Sequence, residues 1–315
     1  MADDPEQAAP FWSVMIPTYN PPAFFEQTLR GVLDQDQGPG QMQIAVVDDA
    51  STGVDPEPIV RRIAGERIEI YRQPRNVGLA ENWNACIRHA RGRWIHLMHQ
   101  DDTALPGYYA TIRAAVENRP EVGLAFTRCA NVDENGNWIY VSRMERPEAG
   151  IIPDWLEKLA INNRIQCPAV SVRAEAYATA GRFRKDLVYA VDWEMWARIA
   201  SRYAVWFDPK IAMTYRVHSQ SETARLQEIA ATAGDERRAI ALIGRLLPGS
   251  KRGRLMRGAL LKLANKELDQ ADVQIDANAT KAAIKSLAEA VKSGWRSPSA
   301  LARAAGVMGR ILLRG

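Results

Sequence analysis

HLMHQDD, residues 96–102, finishes a run, RWIHLM (93–98), that reads as a buried strand, and ends in two adjacent carboxylates, Asp101 and Asp102. Neighbouring anions repel each other. Either they are solvated residues closing a turn before Pro106, or a cation sits between them and a ligand. The pattern on either side sets the fold that presents them. WSVMI (12–16), QIAVV (43–47), RIEIY (67–71) and VGLAFT (122–127) read as further buried strands. Helical spacing falls between the strands, over 22–34, 55–64, 79–91 and 107–118. In the third of these Leu79, Trp83, Ile87 and Ala90 recur at three- and four-residue steps, and Pro106 suits a first turn of the fourth. Strand–helix–strand alternation predicts an α/β fold, a mostly parallel central sheet with helices on both faces.

After residue 128 the alternation stops. NVDENGNWIYVS reads as a hairpin turning at Asn135-Gly136. Residues 153–162 read as helix, 169–173 as strand, and 192–202 as helix. AVWFD (204–208) and IAMTYRV (211–217) read as two strands. From about 222 the chain is Ala-rich and helical, broken at Pro248-Gly249 and near Ser293-Gly294. The expected organisation is a disordered tail over 1–10, a catalytic domain over 11–220 with halves meeting near 128–129, and a basic helical region over 221–315.

The chain has 315 residues, 47% hydrophobic and 25% charged, which fits a soluble globular protein and excludes wholesale disorder. MADDPEQAAP at the start has no basic segment followed by an apolar one, so a signal peptide is not expected. No run of apolar residues is long enough for a membrane-spanning helix. Cys86, Cys129 and Cys167 form no CxxC pair. They read as small buried hydrophobes in a reducing cytoplasm, and argue against a zinc knuckle or a disulfide framework. The net charge of +4 is uneven: residues 245–266 hold seven Lys or Arg and no acid, and 291–315 hold five and no acid. Basic amphipathic stretches at 251–267 and 298–314 can lie on an anionic membrane surface or pack on the catalytic domain. Nucleic acid is not expected, because the aromatics are not interleaved with the cations and no nucleic-acid motif occurs.

In an open parallel α/β sheet, ligands bind beyond the carboxyl ends of the strands. Here those ends read Pro17-Thr18-Tyr19-Asn20, Asp48-Asp49-Ala50-Ser51 and His99-Gln100-Asp101-Asp102, three polar clusters on one edge. No GxGxxG follows the first strand, and GRLLPGSK (244–251) is not a Walker loop. Carboxylates gathered on one rim suit a hard divalent ion, Mn²⁺ or Mg²⁺, shared with a diphosphate. Each residue also has a structural reading. Asp48, Asp49 and Ser51 can cap the next helix, and Asp192 can cap the helix it precedes or act as a general base.

MIPTYN (15–20), VVDDAST (46–52), NVGLAENWNACIRHARGRWIHLMHQDD (76–102) and VDWEMWARI (191–199) together resemble a family 2 glycosyltransferase of the GT-A fold, over about Ser13 to Ser221. The resemblance extends to bacterial surface-polysaccharide members. It implies transfer of a sugar, with inversion, from a nucleotide diphosphate such as a UDP- or dTDP-sugar to a hydroxyl of a saccharide or lipid-linked acceptor. It implies work in the cytoplasm, at the inner face of the membrane. Carried over residue by residue, donor binding falls on Pro17, Thr18, Tyr19, Asn20, Asp48, Asp49, Asn76, Gly78, Asn84, His99, Gln100 and Asp101. The family's D-x-D segment falls on His99-Gln100-Asp101. Metal ligation falls on Asp101, Asp102 and His218, the last within YRVHSQS, and the general base on Asp192. CPAVSVRAEAYATAGRF (167–183) resembles the acceptor side, with Arg173, Gly181 and Phe183 as pocket or structural residues. Trp193 and Trp196 can stack on a sugar or fill the core. Two positions depart from the pattern: His99 stands for the first Asp of D-x-D, and Val191 for the Glu before the base. Those departures are the support for a non-catalytic sugar-nucleotide-binding scaffold. A nucleotidyltransferase would want a Gly-rich basic loop after the first strand, and PTYNPP is neither.

Overall fold

The computed structural model describes residues 9–228 and 232–314. In chain order its strands are β1 (Trp12–Thr18), β2 (Met42–Asp48), β3 (Glu69–Arg72), β4 (Trp94–Leu97), β5 (Thr103–Ala104), β6 (Val122–Val132), β7 (Trp138–Val141), β8 (Gly150–Ile151), β9 (Val170–Arg173) and β10 (Ala204–Arg216). Its helices are α1 (Phe25–Leu33), α2 (Pro56–Ala64), α3 (Leu79–His89), α4 (Tyr108–Val116), α5 (Trp155–Ile161), α6 (Ala174–Ala180), α7 (Val191–Ala200), α8 (Glu222–Glu228), α9 (Thr232–Gly244), α10 (Gly249–Asp276), α11 (Thr280–Gly294) and α12 (Pro298–Arg314). Two compact units interleave along the chain. The first holds the residues up to Pro153 with Ile165–Lys185 and Arg202–His218. The second holds Asp154–Arg164, Asp186–Ser201 and the chain from Ser219.

All ten strands belong to the first unit and form one sheet, in the order β3-β2-β1-β4-β9-β6-β10-β5, with β7 on β6 and β8 on β10. The long ladders, β1 with β2 and β4, β2 with β3, and β6 with β10, are parallel. β9 is antiparallel to both β4 and β6, so those two strands share one direction across it. β1, β2, β3, β4, β6 and β10 therefore end on the same edge. Every residue of β2 is buried, as a strand covered on both faces requires. Gly92 lets the turn before β4 touch β1, since a Cβ there would stand 2.4 Å from the Trp12 carbonyl carbon. Phe11, Trp12, Trp94, Tyr108 and Tyr109 anchor the core of this unit.

Three local expectations change. The two strands expected at 204–217 are one strand, β10, bent by bulges between Asp208 and Met213, so the chain keeps its direction. β6 runs well past VGLAFT, to Val132. The fourth helix, expected over 107–118 after Pro106, runs as α4 from Tyr108, because Gly107 at φ 89° is the cap. The hairpin turn falls where Asn135-Gly136 predicts it, with Gly136 at φ 86°.

The second unit is helical. Leu268, Ala271, Ile275, Leu287 and Val307 form its own core across α10, α11 and α12. Asp235 of α9 is its main polar clasp: its Oδ2 accepts the N–H of Tyr189 and of Ala190, both at 2.8 Å, at the start of α7. Many cations of the basic stretches are engaged within the unit. Lys251 pairs with Glu157, and Lys266 reaches Glu236 at 2.7 Å. Arg303 reaches Asp269 at 2.5 Å, and Arg310 reaches Asp272 at 2.7 Å and Asp276 at 2.9 Å. No described helix is long and apolar enough to cross a membrane.

Candidate active site

The carboxyl edge of the sheet gathers four loops. Beyond β1, Tyr19 and Gln100 exchange bonds: the Tyr19 N–H donates to Gln100 Oε1 at 3.0 Å, and Gln100 Nε2 returns one to the Tyr19 carbonyl at 3.2 Å. Asn20, at φ 44°, accepts the N–H of Thr52 and Gly53 on Oδ1 at 2.9 and 2.7 Å, so the ends of β1 and β2 are laced together. Thr18 is buried and its hydroxyl donates to the Ile16 carbonyl. The Tyr19 ring is exposed beside it.

The Asp48-Asp49 tip is held from several sides, although Asp48 Oδ2 has an ion-pair contact and no hydrogen bond. Asp48 Oδ1 accepts the Ser51 hydroxyl at 2.5 Å and the Ser51 N–H at 3.1 Å, and Oδ2 lies 2.9 Å from Arg72 Nε. Asp49 accepts the N–H of Val77 at 2.7 Å and of Gly78 at 2.9 Å, one on each oxygen. Burial raises the Asp49 carboxyl, against those two backbone donors. Gly78, at φ 83°, supplies a conformation that a side chain would resist. Asn76 is exposed on the same loop. Asn84 is buried in α3, where its amide holds both the N–H and the carbonyl of Phe183. It therefore braces the 183 segment from a buried position.

Beyond β4, His99, Asp101 and Asp102 bring ligand atoms within 4.8 Å of one another. Asp102 is fully buried. Its Oδ1 accepts the Arg216 N–H at 2.8 Å, while its Oδ2 has no hydrogen-bond partner and lies 3.4 Å from His99 Nδ1. Burial, and then Asp101 beside it, push the Asp102 carboxyl up to about 6, against His99 and the Arg216 N–H. Burial pulls the His99 imidazole down, but Cys167 and Asp102 outweigh it and lift it well above its ordinary value. Asp101 Oδ2 meets His218 Nε2 at 2.9 Å. His218 follows β10, so the end of that strand delivers it to the loop beyond β4. The two carboxylates, one with a buried oxygen that takes no hydrogen bond, and the His99 imidazole form a donor set that a divalent cation fits, with His218 against Asp101.

Sequence reasoning missed Arg216, which holds this loop in place. Its Nε donates to the Asp101 carbonyl, one terminal nitrogen donates to the carbonyls of Asp133 and Glu134, and the other donates to Gln27. The guanidinium lies 4.4 Å over the Phe24 ring. Thr28 adds a bond from its hydroxyl to the Asp102 carbonyl at 2.7 Å. The one available signal was a charged residue within an otherwise strand-like run, two positions before His218.

Asp192 lies in the second unit, in the first turn of α7 rather than at its cap, which is Ala190. Its Oδ2 accepts from Asn163 Nδ2 at 3.2 Å, and it is partly exposed. Trp193 and Trp196 are buried, and Trp193 Nε1 donates to the Leu159 carbonyl at 2.7 Å. Neither ring presents an open face to a sugar in this structure. Arg173 is likewise taken up, by the carbonyls of Val122 and Arg119 and the face of Trp94. Phe183 is buried against Trp83 and Tyr177. Gly181 stands at φ 85° just after α6, a structural position.

The family model described as Glycosyl transferase family 2 matches residues 13–187. The chain belongs to glycosyl transferase family 2. An uncharacterized protein of Mycobacterium tuberculosis is 30% identical to this glycosyltransferase over 258 residues, 78% of this chain and 80% of that protein. An uncharacterized glycosyltransferase of Methanocaldococcus jannaschii is 24% identical over 218 residues, 67% of this chain and 72% of that protein. Among solved structures, S. aureus TarS in complex with UDP-GlcNAc has a TM-score of 0.67 at 15% identity, covering 90% of this chain and 81% of that one. The mannosyltransferase PcManGT of Pyrobaculum calidifontis, in complex with GDP-Man and Mn²⁺, has a TM-score of 0.54 at 21% identity, covering 93% and 90%. These likenesses establish the GT-A fold. The glycosyltransferase draws Arg216 and His218 from beyond the span that the family model matches.

Proposed function

We propose that this glycosyltransferase transfers a sugar, with inversion, from a nucleotide-diphosphate donor, a UDP- or dTDP-sugar, to a hydroxyl of a saccharide or lipid-linked acceptor. The setting is the assembly of bacterial polysaccharide or glycolipid at the inner face of the cell membrane. The observation that carries this reading is the unpartnered Asp102 Oδ2 within the His99–Asp101–Asp102 cluster, at the sheet edge where this fold binds its ligands. Asp101, Asp102 and His218 would hold Mn²⁺ or Mg²⁺, with His99 beside them. A bound ion supplies charge neutralisation for the departing diphosphate. Pro17, Thr18, Tyr19 and Asn20 line the nucleoside side, and Asp48 and Asp49 shape its floor. Asp192 accepts the proton of the acceptor hydroxyl as that oxygen bonds to the anomeric carbon. The bond from that carbon to the diphosphate oxygen breaks, and its electron pair leaves with the nucleotide. Asn163 orients the base.

The test is nucleotide release from a panel of UDP-, dTDP- and GDP-sugars with Mn²⁺ or Mg²⁺, with and without lipid-linked saccharide. One donor should be turned over, faster with acceptor, and chelation should stop release. Asp192→Asn should lower kcat by about 10²–10⁴-fold and leave the donor Kd unchanged. Full activity in Asp192→Asn would remove the base assignment, and silence across the whole panel would remove the reading.

A further inference from the structure

The second unit carries an apolar face that sugar transfer does not use. In α11, steps of three and four residues put Ile284, Ala288 and Val291 on one side, with Trp295 just beyond the helix. In α12 the same steps align Leu301, Ala305, Met308 and Leu312. All eight are exposed, Trp295 by 58% and Leu312 by 74%. Ile284, Val291, Leu301 and Met308 line one groove of about 470 Å³ between the two helices. The helices need no more of this surface for their own packing, because Leu287, Ala290, Ala304, Val307 and Ile311 already fill the core. A contiguous apolar patch of this extent marks an interaction surface.

Charge indicates what covers it. Lys281, Lys285, Lys292 and Arg296 are exposed and follow one flank of the α11 stripe, as their spacing requires. Glu289 is the one acid between residues 280 and 314. It turns to Arg237 and Lys292 and is mostly covered. Arg303 and Arg310 face away from the groove, toward Asp269, Asp272 and Asp276 of α10. Arg303 and Arg310 are thus neutralised internally, and the described cations that flank the groove belong to α11. A symmetric contact with a second copy would set this rim against itself. An anionic surface with an apolar interior complements both the rim and the groove.

We propose that the α11–α12 face is a membrane-surface site for anionic phospholipid. Ile284, Val291, Trp295, Met308 and Leu312 enter the acyl boundary, and Lys281, Lys285 and Arg296 meet headgroup phosphates, with Lys292 beside them against Glu289. This does not depend on the transfer reaction, so its failure and that of the reaction are separable.

The test is co-flotation of the full chain with phosphatidylglycerol vesicles, with phosphatidylcholine vesicles as the comparison. The wild type should float with the former, and salt should release it. Ile284→Asp with Met308→Asp should lose at least tenfold in vesicle affinity while keeping its circular dichroism, its melting temperature and its donor turnover in solution. Lys281→Gln with Lys285→Gln should lose roughly fivefold per charge removed. No flotation of the wild type, or undiminished flotation of the double Asp variant, would overturn the proposal. So would a concentration-dependent dimer that the double Asp variant abolishes, since the face would then bind a second copy.

Discussion

Asp48-Asp49 after β2 and Asp101-Asp102 after β4 are the same dipeptide on the same sheet edge, but their surroundings differ. At the first tip Asp49 is held by the backbone of Val77 and Gly78 and Asp48 Oδ1 by Ser51, while Asp48 Oδ2, also without a hydrogen bond, is neutralised by the Arg72 guanidinium at 2.9 Å. At the second, among the described residues, no guanidinium reaches either carboxylate: Asp102 Oδ2 has no hydrogen bond and only the His99 imidazole near it at 3.4 Å, and the Asp101 carboxylate meets the His218 imidazole. The first pair is a clasp that shapes loops. The second keeps acceptor capacity, and that capacity, not the presence of acids, is what a cation can use.

The contrast is open to direct attack. Asp101→Ala should reduce metal-dependent turnover by about 10²–10³-fold and abolish saturable Mn²⁺ binding in calorimetry, with stability within about 1 kcal/mol of wild type. Arg216→Lys should act through the loop. A lysine cannot reproduce the fork that joins Asp101, Asp133, Glu134 and Gln27, so Mn²⁺ affinity should fall about 10- to 100-fold, with a visible drop in melting temperature. Asp49→Asn should show the reverse profile. An amide can accept one of the two backbone N–H groups but not both, so the melt should report a loss of about 1–3 kcal/mol while Mn²⁺ binding persists. If Asp49→Asn removed the metal as Asp101→Ala does, the division between the tips would be wrong.

The parallel ladders and the three polar clusters were legible in the sequence because buried strands and their carboxyl-end loops lie side by side in it. VVDDAST and HLMHQDD carry strand and tip in a single stretch. Which tip keeps a free oxygen was not legible. It depends on Arg72, Val77, Gly78 and Arg216, whose N–H groups arrive from other parts of the chain. Trp193 and Trp196 illustrate the same limit. Spacing places them beside Asp192 but does not say which way the helix faces, and both are buried. Asp235 had no sequence signal as the clasp of α7, since it sits within a polar stretch of another helix. Arg303 and Arg310 of α12 looked available for lipid because their acidic partners lie in α10, more than thirty positions earlier.

The bond from the Arg216 N–H to Asp102 bridges 114 positions. During synthesis, the acidic loop therefore leaves the ribosome long before the strand that completes it. Until β10 docks beside β6, Asp102 lacks the donor that steadies it and Asp101 lacks its imidazole. A nascent or truncated chain ending near residue 187 would carry every matched position of its family and still hold an unfinished centre. On the proposed reading, cation affinity is a late product of folding, and its appearance would time the closing of the sheet.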